Sequence, residues 1–268
     1  MPARAAIGVI GGSGFYSLLD HAEEVKAETP FGTPSDAITI GEVAGRQVAF
    51  LPRHGRDHQF PPHRIPYRAN LWALRSLGVR QVLAPTAVGS LTPLLGPGTL
   101  AIPDQLVDRT HGRENTYYEG ERPVHIAFAD PYCPHGRERA ITAAGAAGWP
   151  VVDSGTLVVI NGPRFSTRAE SRWYAGQGWT LIGMTGHPEA ALARELALCY
   201  TSLALVTDTD AGVAVGEGVT QEEVFREFGR NVSRLRELVF TLIETLPAER
   251  TCPCPHTLDG ITLPLELP

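Results

Sequence analysis

Short apolar runs with little polar alternation recur along the chain, and several run directly into turns that contain glycine or proline. A strand that is covered on both faces has no polar side, so such runs predict buried strands. The predicted strands are residues 5–10, 37–40, 47–51, 81–84, 99–102, 155–160 and 202–206.

Helical patterns lie between some of these runs. Residues 67–77 place Leu71, Leu74 and Leu77 at helical spacing, and residues 188–199 and 222–242 are also predicted as helices. Strands that alternate with helices predict a single α/β domain, over residues 1–247. Residues 248–268 are interpreted as a C-terminal tail, because their prolines cannot continue a helix.

Charge and hydropathy exclude several classes of protein. The formal net charge of −6 argues against nucleic acid or an anionic membrane as the main partner. No stretch approaches the roughly 20 apolar residues of a membrane span, and the first ten residues do not resemble a signal peptide. A cytoplasmic location is therefore expected.

Lysine and cysteine usage narrows the chemistry. Lys26 is the single lysine, and no glycine loop precedes it, so a Walker A phosphate loop is excluded. Four cysteines are too few for a disulfide framework. Cys252 and Cys254 cannot make a zinc site alone and are interpreted as part of an incidental tail, with a redox pair as the alternative.

A glycine-rich turn, Gly-Gly-Ser-Gly at 11–14, follows the first predicted strand. Its backbone N–H groups and the Ser13 hydroxyl could bind an anion. The alternative is a dinucleotide fingerprint, but Ser17 stands where that motif needs glycine.

The segment 52–58 follows another predicted strand and brings arginines and histidines together. Arg53 beside His54 suits a phosphate oxyanion. The alternatives are a metal site formed with His58 and His63, or a solvated basic loop.

Small residues at 85–90 are predicted to form a turn after the strand at 81–84. Thr86, Ala87 and Ser90 could donate to the same anion. The alternative is close packing at a strand end.

Two carboxylates, Asp208 and Asp210, follow the strand at 202–206 and should point the same way if that segment is extended. In a shared cleft they would repel, so one should keep its proton to a higher pH. A neutral acid beside a carboxylate is a useful pair for general acid chemistry. A calcium-type loop and a helix cap are the alternatives.

Taken together, these segments resemble the purine nucleoside phosphorylase and methylthioadenosine phosphorylase family, and within it the methylthioadenosine branch. The resemblance covers residues 7 to about 242. Its motifs are Gly-Gly-Ser-Gly (11–14), Pro-Phe-Gly-Thr-Pro-Ser-Asp (30–36), Arg-His-Gly-Arg (53–56), Asn-Leu-Trp-Ala-Leu (70–74), Gly-Ser-Leu (89–91), Gly-Pro-Arg-Phe-Ser-Thr-Arg-Ala-Glu-Ser (162–171) and Met-Thr-Gly-His-Pro-Glu (184–189).

The family resemblance implies a fold, a reaction and a set of site residues. The fold would be one α/β domain around a mixed, partly barrel-like sheet flanked by helices, assembled as a homotrimer. The reaction would cleave a purine nucleoside with inorganic phosphate as co-substrate and without a cofactor or metal. The implied phosphate ligands are Ser13, Arg53, His54, Thr86, Ala87 and Thr185.

The resemblance also assigns the nucleoside contacts. Met184 would lie against the ribose and Phe165 against the base, while His125 would reach a neighbouring subunit's 5' pocket. A protonated Asp208 would donate to N7 of the leaving purine. Asp210 would accept from a 6-amino group, which favours adenine over a 6-oxopurine.

Two features leave the substrate open. Ser166 and Gln221 are the predicted specificity residues, and a polar Gln221 suggests a smaller or more polar 5' group than methylthio, unless it merely starts the helix that follows. Gly186-His187-Pro188-Glu189 resembles the form found in members that use methylthioinosine. A 6-oxopurine phosphorylase therefore remains an alternative. A non-catalytic purine-binding module is the alternative from another class of protein.

Overall fold

The computed structural model describes residues 4–12, 22–120, 122–211 and 218–268. Its strands are β1 (Ile7–Gly11), β2 (Glu23–Val25), β3 (Ile38–Val43), β4 (Arg46–Pro52), β5 (Gln81–Ser90), β6 (Leu100–Ala101), β7 (Gln105–Arg109), β8 (Val151–Val152), β9 (Thr156–Ile160), β10 (Leu181–Gly183) and β11 (Cys199–Thr209). Its helices are α1 (Tyr67–Ser76), α2 (Pro134–Ala146), α3 (Arg168–Gly176), α4 (Gly186–Glu195) and α5 (Gln221–Thr245). The mixed α/β class expected from the sequence is confirmed.

The sheet is mixed and divides at β5. The main path runs β2-β3-β4-β1-β5-β10-β9-β7, and β11 pairs with β5 along its whole length. On its other edge, β5 pairs in parallel with β1 over residues 81–83 and antiparallel with β10 at residues 89–90. The carboxyl ends of β1 and β10 therefore approach the middle of β5 from opposite directions. Ligands of open α/β sheets bind at such points of divergence.

The predicted turn at 85–90 is wrong, because β5 continues through it. β11 runs beside β5 in parallel register as far as Ser90, with an irregularity between Val206 and Asp208. Tertiary pairing outweighs the local preference of proline and small residues for a turn. The chemistry expected of this segment therefore sits on a strand.

Short or weakly patterned elements are the ones that the sequence does not predict. β2 and β7 carry mostly exposed, polar residues, and β8 and β10 have only two and three residues. Neither α2 nor α3 was predicted. α2 is rich in alanine and glycine and lacks a clear apolar face. α3 begins at a capping box of Thr167 and Glu170. The predicted helix at 188–199 ends at Glu195, because Cys199 begins β11.

Helix α5 positions one wall of the site. Its N-terminus is fixed by a capping box in which Thr220 and Glu223 bond to each other's backbone N–H groups. Leu235, Leu238 and Leu242, farther along, are buried in the core cluster that also contains residues of β5 and β11. The helix thus begins at Gln221, and its first two turns remain free to line a cavity.

Residues beyond Pro247 pack against the domain. Cys252 and Cys254 are buried beside Cys133 and Cys199, and Leu263, Leu265 and Leu267 contact the main core. The two cysteines are thus not incidental, although the boundary at residue 247 stays a prediction. In the described part of the chain, no helix has both the length and the hydropathy to cross a membrane.

Candidate active site

A cavity of about 420 Å³ opens where the sheet divides. The residues that line it follow the carboxyl ends of β1, β4, β9, β10 and β11, lie within β5, or belong to the first turns of α5. The predicted site residues among them are Arg53, His54, Thr86, Ala87, Phe165, Ser166, Met184, Thr185, Asp208, Asp210 and Gln221.

Two predicted residues are not among those that line the cavity, for different reasons. Ser13 lies outside the described residues. His125 is exposed on the irregular segment that follows β7 and does not line this cavity. The prediction for His125 concerns the pocket of a neighbouring subunit and stays a prediction.

Hydroxyl groups from two strands meet at one end of the cavity. Thr86 Oγ1, on β5, lies 3.4 Å from Thr185 Oγ1, which follows β10. Thr185 is the N-cap residue of α4, but its hydroxyl does not cap the helix. The Thr86 hydroxyl also lies 3.4 Å from the Ala87 carbonyl oxygen, and both threonines line the cavity.

Arg53 reaches this end of the cavity but is mostly engaged by the protein. Its Nε and Nη2 donate to the two Glu189 carboxylate oxygens at 2.8 and 2.9 Å, and the pair is almost fully buried. Nη2 also donates to the Ile10 carbonyl, and Nη1 to the Pro85 carbonyl. A guanidinium has five N–H groups, so one Nη1–H is left for a ligand. Burial opposes the charge of Arg53, but Glu189 outweighs it and raises the pKa.

His54 is neutral near pH 7. Burial lowers its pKa to about 4, and the positive charge of Arg53 contributes, despite the hydrogen bond to the backbone of Phe60. Nδ1 lies 2.8 Å from the Phe60 carbonyl oxygen, so Nδ1 must carry the proton and donate it. Nε2 is then an acceptor. Nε2 of His54 therefore faces a ligand as a hydrogen-bond acceptor and not as a cation.

Asp208 has the electrostatics of a general acid. Burial raises its pKa to about 6, the nearby Asp210 carboxylate adds to the rise, and a 2.8 Å hydrogen bond from the Thr207 hydroxyl opposes it. The sequence predicted a raised pKa for one carboxyl of the pair. The raised pKa of Asp208 agrees with this prediction, but its main cause is burial and not repulsion by Asp210.

Asp210 is held by two serine hydroxyls. Ser166 Oγ and Ser171 Oγ lie 2.7 and 2.5 Å from Asp210 Oδ2, so both donate to the same oxygen. In the described part of the chain, no hydrogen bond is made to Oδ1. The carboxylate is buried, and its free oxygen is the one that can meet a ligand.

Gly89 shows that the two carboxylates face the same space, as their spacing predicted. A Cβ at this position would lie 2.8 Å from Asp208 Oδ1 and 3.5 Å from Asp210 Cβ. It would also lie 3.0 Å from Ile182 Cγ2. Only glycine leaves the Asp208 carboxyl in its observed position.

We expect Gly89→Ala to displace the Asp208 carboxyl and to lower kcat/KM about 10- to 100-fold, the usual effect of a small displacement in an active site. Steady-state kinetics on the purine nucleoside and phosphate that the family resemblance implies would measure the loss. Gly96→Ala is the matched control, because a Cβ at Gly96 meets nothing within 4 Å. Equal kcat/KM in the two variants would show that the position of Asp208 is not limiting.

Part of the cavity wall is aromatic and apolar. It is formed by Phe165 and Met184 together with Val224, Phe225 and Phe228 of α5. Phe225 is 47% exposed, so this wall is open to solvent. Gln221, the first residue of α5, lines the cavity, so it both starts the helix and meets the site.

Several contributing residues were missed as functional residues. Glu189 and Ser171 lie inside motifs that the sequence displays, but their partners Arg53 and Asp210 are distant in the chain. Thr207 stands directly beside Asp208, and that adjacency was the available signal. Phe225 carried no signal, because its role depends on where α5 begins.

The histidines at 54, 58 and 63 do not gather as metal ligands. The rings of His54 and His58 stack at 4.4 Å between centroids. In the described residues, the one group of three or more side chains placed to hold a metal ion is formed by the four cysteines, away from this cavity.

Comparisons with known proteins agree with this architecture. Residues 6–244 match the model of the phosphorylase superfamily. The chain is 61% identical to a purine nucleoside phosphorylase of Streptomyces coelicolor, over 99% of this chain and 98% of that protein. It is 60% identical to an S-methyl-5'-thioadenosine phosphorylase of Mycolicibacterium smegmatis, over 98% and 99%. The structure of the Schistosoma mansoni methylthioadenosine phosphorylase in complex with adenine is 38% identical, with a TM-score of 0.87, over 92% of this chain and 93% of that one. The chain therefore belongs to the phosphorylase superfamily.

Proposed function

We propose that this protein cleaves the N-glycosidic bond of a 5'-modified adenine nucleoside, such as S-methyl-5'-thioadenosine, with inorganic phosphate. The products are adenine and the corresponding ribose 1-phosphate derivative. One observation carries the proposal: a single cavity is lined by Arg53, Thr86 and Thr185 and also by Asp208, a carboxyl whose pKa is raised to about 6. The relatives named methylthioadenosine phosphorylases support the same substrate.

Phosphate is the ligand that suits the donors at the first end. Thr86, Thr185, the backbone at Ala87 and the remaining Nη1–H of Arg53 would donate to its oxygens. HPO4²⁻ still carries one hydroxyl, which can donate to Nε2 of the neutral His54. Ser13 would complete this group from the glycine-rich turn.

Catalysis would follow the movement of charge. As the glycosidic bond stretches, the ribose gains positive charge and the purine gains negative charge. The phosphate stabilises the ribose and attacks C1', while protonated Asp208 donates to N7 of the departing base. Met184 would pack on the ribose and Phe165 on the base.

Asp210 would select the base. Its Oδ1 would accept a hydrogen bond from a 6-amino group, whereas a 6-oxopurine presents an acceptor there and leaves a buried carboxylate unpaired. Rejection by an unpaired buried group is the stronger form of discrimination. Ser166 contributes by holding Oδ2.

A 6-oxopurine phosphorylase is the second candidate, because the 61% identical relative is named simply a purine nucleoside phosphorylase. Gln221 adds a polar group beside the apolar residues of α5, which would suit a 5'-hydroxyl nucleoside such as inosine. Among the described residues, neither Gly186 nor His187 lines the cavity, so the motif they form would have to act indirectly.

A substrate panel tests the proposed function. Purine release should require inorganic phosphate, and methylthioadenosine should be cleaved with a higher kcat/KM than methylthioinosine, adenosine or inosine. The measurement is initial rate by release of the free base, with and without phosphate. Equal cleavage in phosphate-free buffer would contradict phosphorolysis, and a preference for methylthioinosine would favour the second candidate.

The oligomer is part of the proposal. His125 is exposed and away from its own cavity, so it would serve a neighbour's 5' pocket in a homotrimer. Sedimentation should give a trimer, and His125→Ala should raise KM for the nucleoside with little change in kcat. A monomer with full activity would overturn this. The absence of a cofactor and the cytoplasmic location remain predictions from the sequence.

A further inference from the structure

Four cysteines that are distant in the sequence meet in one buried cluster. Cys133, Cys199, Cys252 and Cys254 are each at most 3% exposed, and they are all the cysteines of the chain. Their four sulfur atoms lie within 4.8 Å of one another, with Cys199 Sγ and Cys252 Sγ 3.4 Å apart. All four are free thiols.

The arrangement suits a tetrahedral metal better than two disulfides. In a zinc tetrathiolate, with Zn–S distances of about 2.3 Å, neighbouring sulfurs are about 3.8 Å apart. This value falls between the 3.4 Å that separates Cys199 Sγ from Cys252 Sγ and the 4.8 Å within which all four sulfurs lie. The Cys133 thiol interacts with the side chains of all three other cysteines. The cluster therefore does not separate into two pairs.

The backbone holds the first two cysteines in place. Cys133 is the N-cap residue of α2, and its Sγ accepts a hydrogen bond from Gly136 N at 3.4 Å. Its own N–H donates to the Tyr200 carbonyl, and the N–H of Cys199 donates to the Arg80 carbonyl. A metal site needs ligands and supporting hydrogen bonds that are held in this way.

The other two cysteines come from the C-terminal segment. Cys252 and Cys254 flank Pro253, and Cys254 begins a short 3-10 helix that ends at His256. The Thr257 hydroxyl donates to the Cys254 carbonyl at 3.0 Å. The segment thus presents two thiols from one tight turn to the start of β11.

Positive charge lies near the cluster. Arg250 Nη1 donates to the Ala197 carbonyl at 2.9 Å and lies 3.4 Å from the Arg80 carbonyl oxygen, which also bonds to Cys199. A zinc ion with four thiolates has a net charge of −2, which a nearby guanidinium stabilises.

We infer that these four cysteines bind one Zn²⁺ as a structural tetrathiolate site that ties the C-terminal segment to the start of β11. Binding displaces the four thiol protons to solvent, and no electron is transferred. All four positions are protein ligands, so the site is closed and has no open position for catalysis. It lies far from the cavity, because Cys199 is nine residues before Asp208 on the same strand, about 30 Å at 3.3 Å per residue.

Metal analysis of the full-length protein tests this inference. Protein purified without chelator from zinc-supplemented cells should contain about one zinc per chain by mass spectrometry. Thiol titration in denaturant with chelator should find four free thiols. Replacement by Co²⁺ should give the intense visible absorption of tetrahedral cobalt thiolate. A zinc-free protein, whether its thiols are free or paired in disulfides, would overturn the proposal.

Variants separate ligation from folding. Cys254→Ser should lose the metal, while His135→Ala should retain it, because His135 lies two residues from Cys133 and is not in the cluster. Removing the metal from the wild type should lower Tm by about 10 °C and leave kcat/KM at moderate temperature unchanged. If Cys254→Ser retains zinc, or if chelation leaves Tm unchanged, the site is not structural zinc. The cobalt spectrum of the wild type decides the question even if the variant does not fold.

Discussion

Asp208→Asn is expected to lower kcat/KM by about 10²–10⁴-fold, the usual contribution of general acid catalysis. An amide can still hydrogen-bond to N7 of the purine, but it cannot transfer a proton to it. The Thr207 hydroxyl can donate to the amide oxygen as it does to Asp208 Oδ2, so the side chain should keep its position. The loss should therefore appear mainly in kcat, with little change in Tm.

The pH profile gives this variant a second readout. The pKa of Asp208 is raised to about 6, and the protonated form is the acid, so kcat/KM should fall as pH rises through about 6. Asp208→Asn should lack that limb. The profile must be measured at a fixed concentration of HPO4²⁻, because phosphate titrates in the same range. Asp57→Asn, which removes an exposed carboxylate from the nearby loop, is the control. If kcat/KM of Asp208→Asn lies within tenfold of the wild-type value, Asp208 is not the general acid. The same conclusion follows if the variant keeps the fall in kcat/KM above about pH 6.

A predicted site residue lines the cavity where it follows a strand that the sequence also predicts. Arg53 after β4 and Asp208 and Asp210 at the end of β11 all line the cavity, whereas Thr185 follows β10, a strand that the sequence does not predict and that runs antiparallel to β5. Strand direction explains this success, since carboxyl ends of parallel strands share an edge of the sheet. The local pattern is sufficient for these residues, because each one is positioned by the strand that it follows.

Local sequence patterns do not predict which distant segments will contact each other. Nothing beside Arg53 shows that Glu189 will engage most of its guanidinium, and nothing beside His54 shows that burial will keep its ring neutral. The cysteines illustrate the same point. Cys252 and Cys254 alone cannot make a metal site, and only the fold brings Cys133 and Cys199 to them.

The continuation of β5 was missed for a related reason. Pro85 and the small residues after it have turn preferences, but β11 pairs with β5 along its full length. The divergence of β1 and β10 on the other edge is a property of the whole sheet. This divergence creates the cavity, and no local pattern encodes it.

Asp210→Asn is expected to change the choice of base rather than abolish catalysis. The two serine hydroxyls donate to Asp210 Oδ2, so the asparagine should place its carbonyl oxygen there and its NH2 at the position of Oδ1. That NH2 would face the 6-position of the purine. It can donate to the O6 of a 6-oxopurine, but it opposes the 6-amino group of adenine.

The size of the change follows from hydrogen bonds to a charged group, which contribute about 1.5–3 kcal/mol each. One such bond is lost for adenine and one unfavourable contact is relieved for the 6-oxopurine. The two effects together change the preference by about 3–6 kcal/mol. The ratio of kcat/KM for methylthioadenosine over methylthioinosine should therefore fall roughly 10²–10⁴-fold.

Ser171→Ala is the matched control, because it removes one hydroxyl from Oδ2 but keeps the carboxylate, and should preserve the direction of the preference. If Asp210→Asn leaves the ratio unchanged, or if the wild type already prefers the 6-oxopurine, Asp210 is not the base selector. The motif at Gly186 and His187 would then have to carry base selection through contacts outside the cavity.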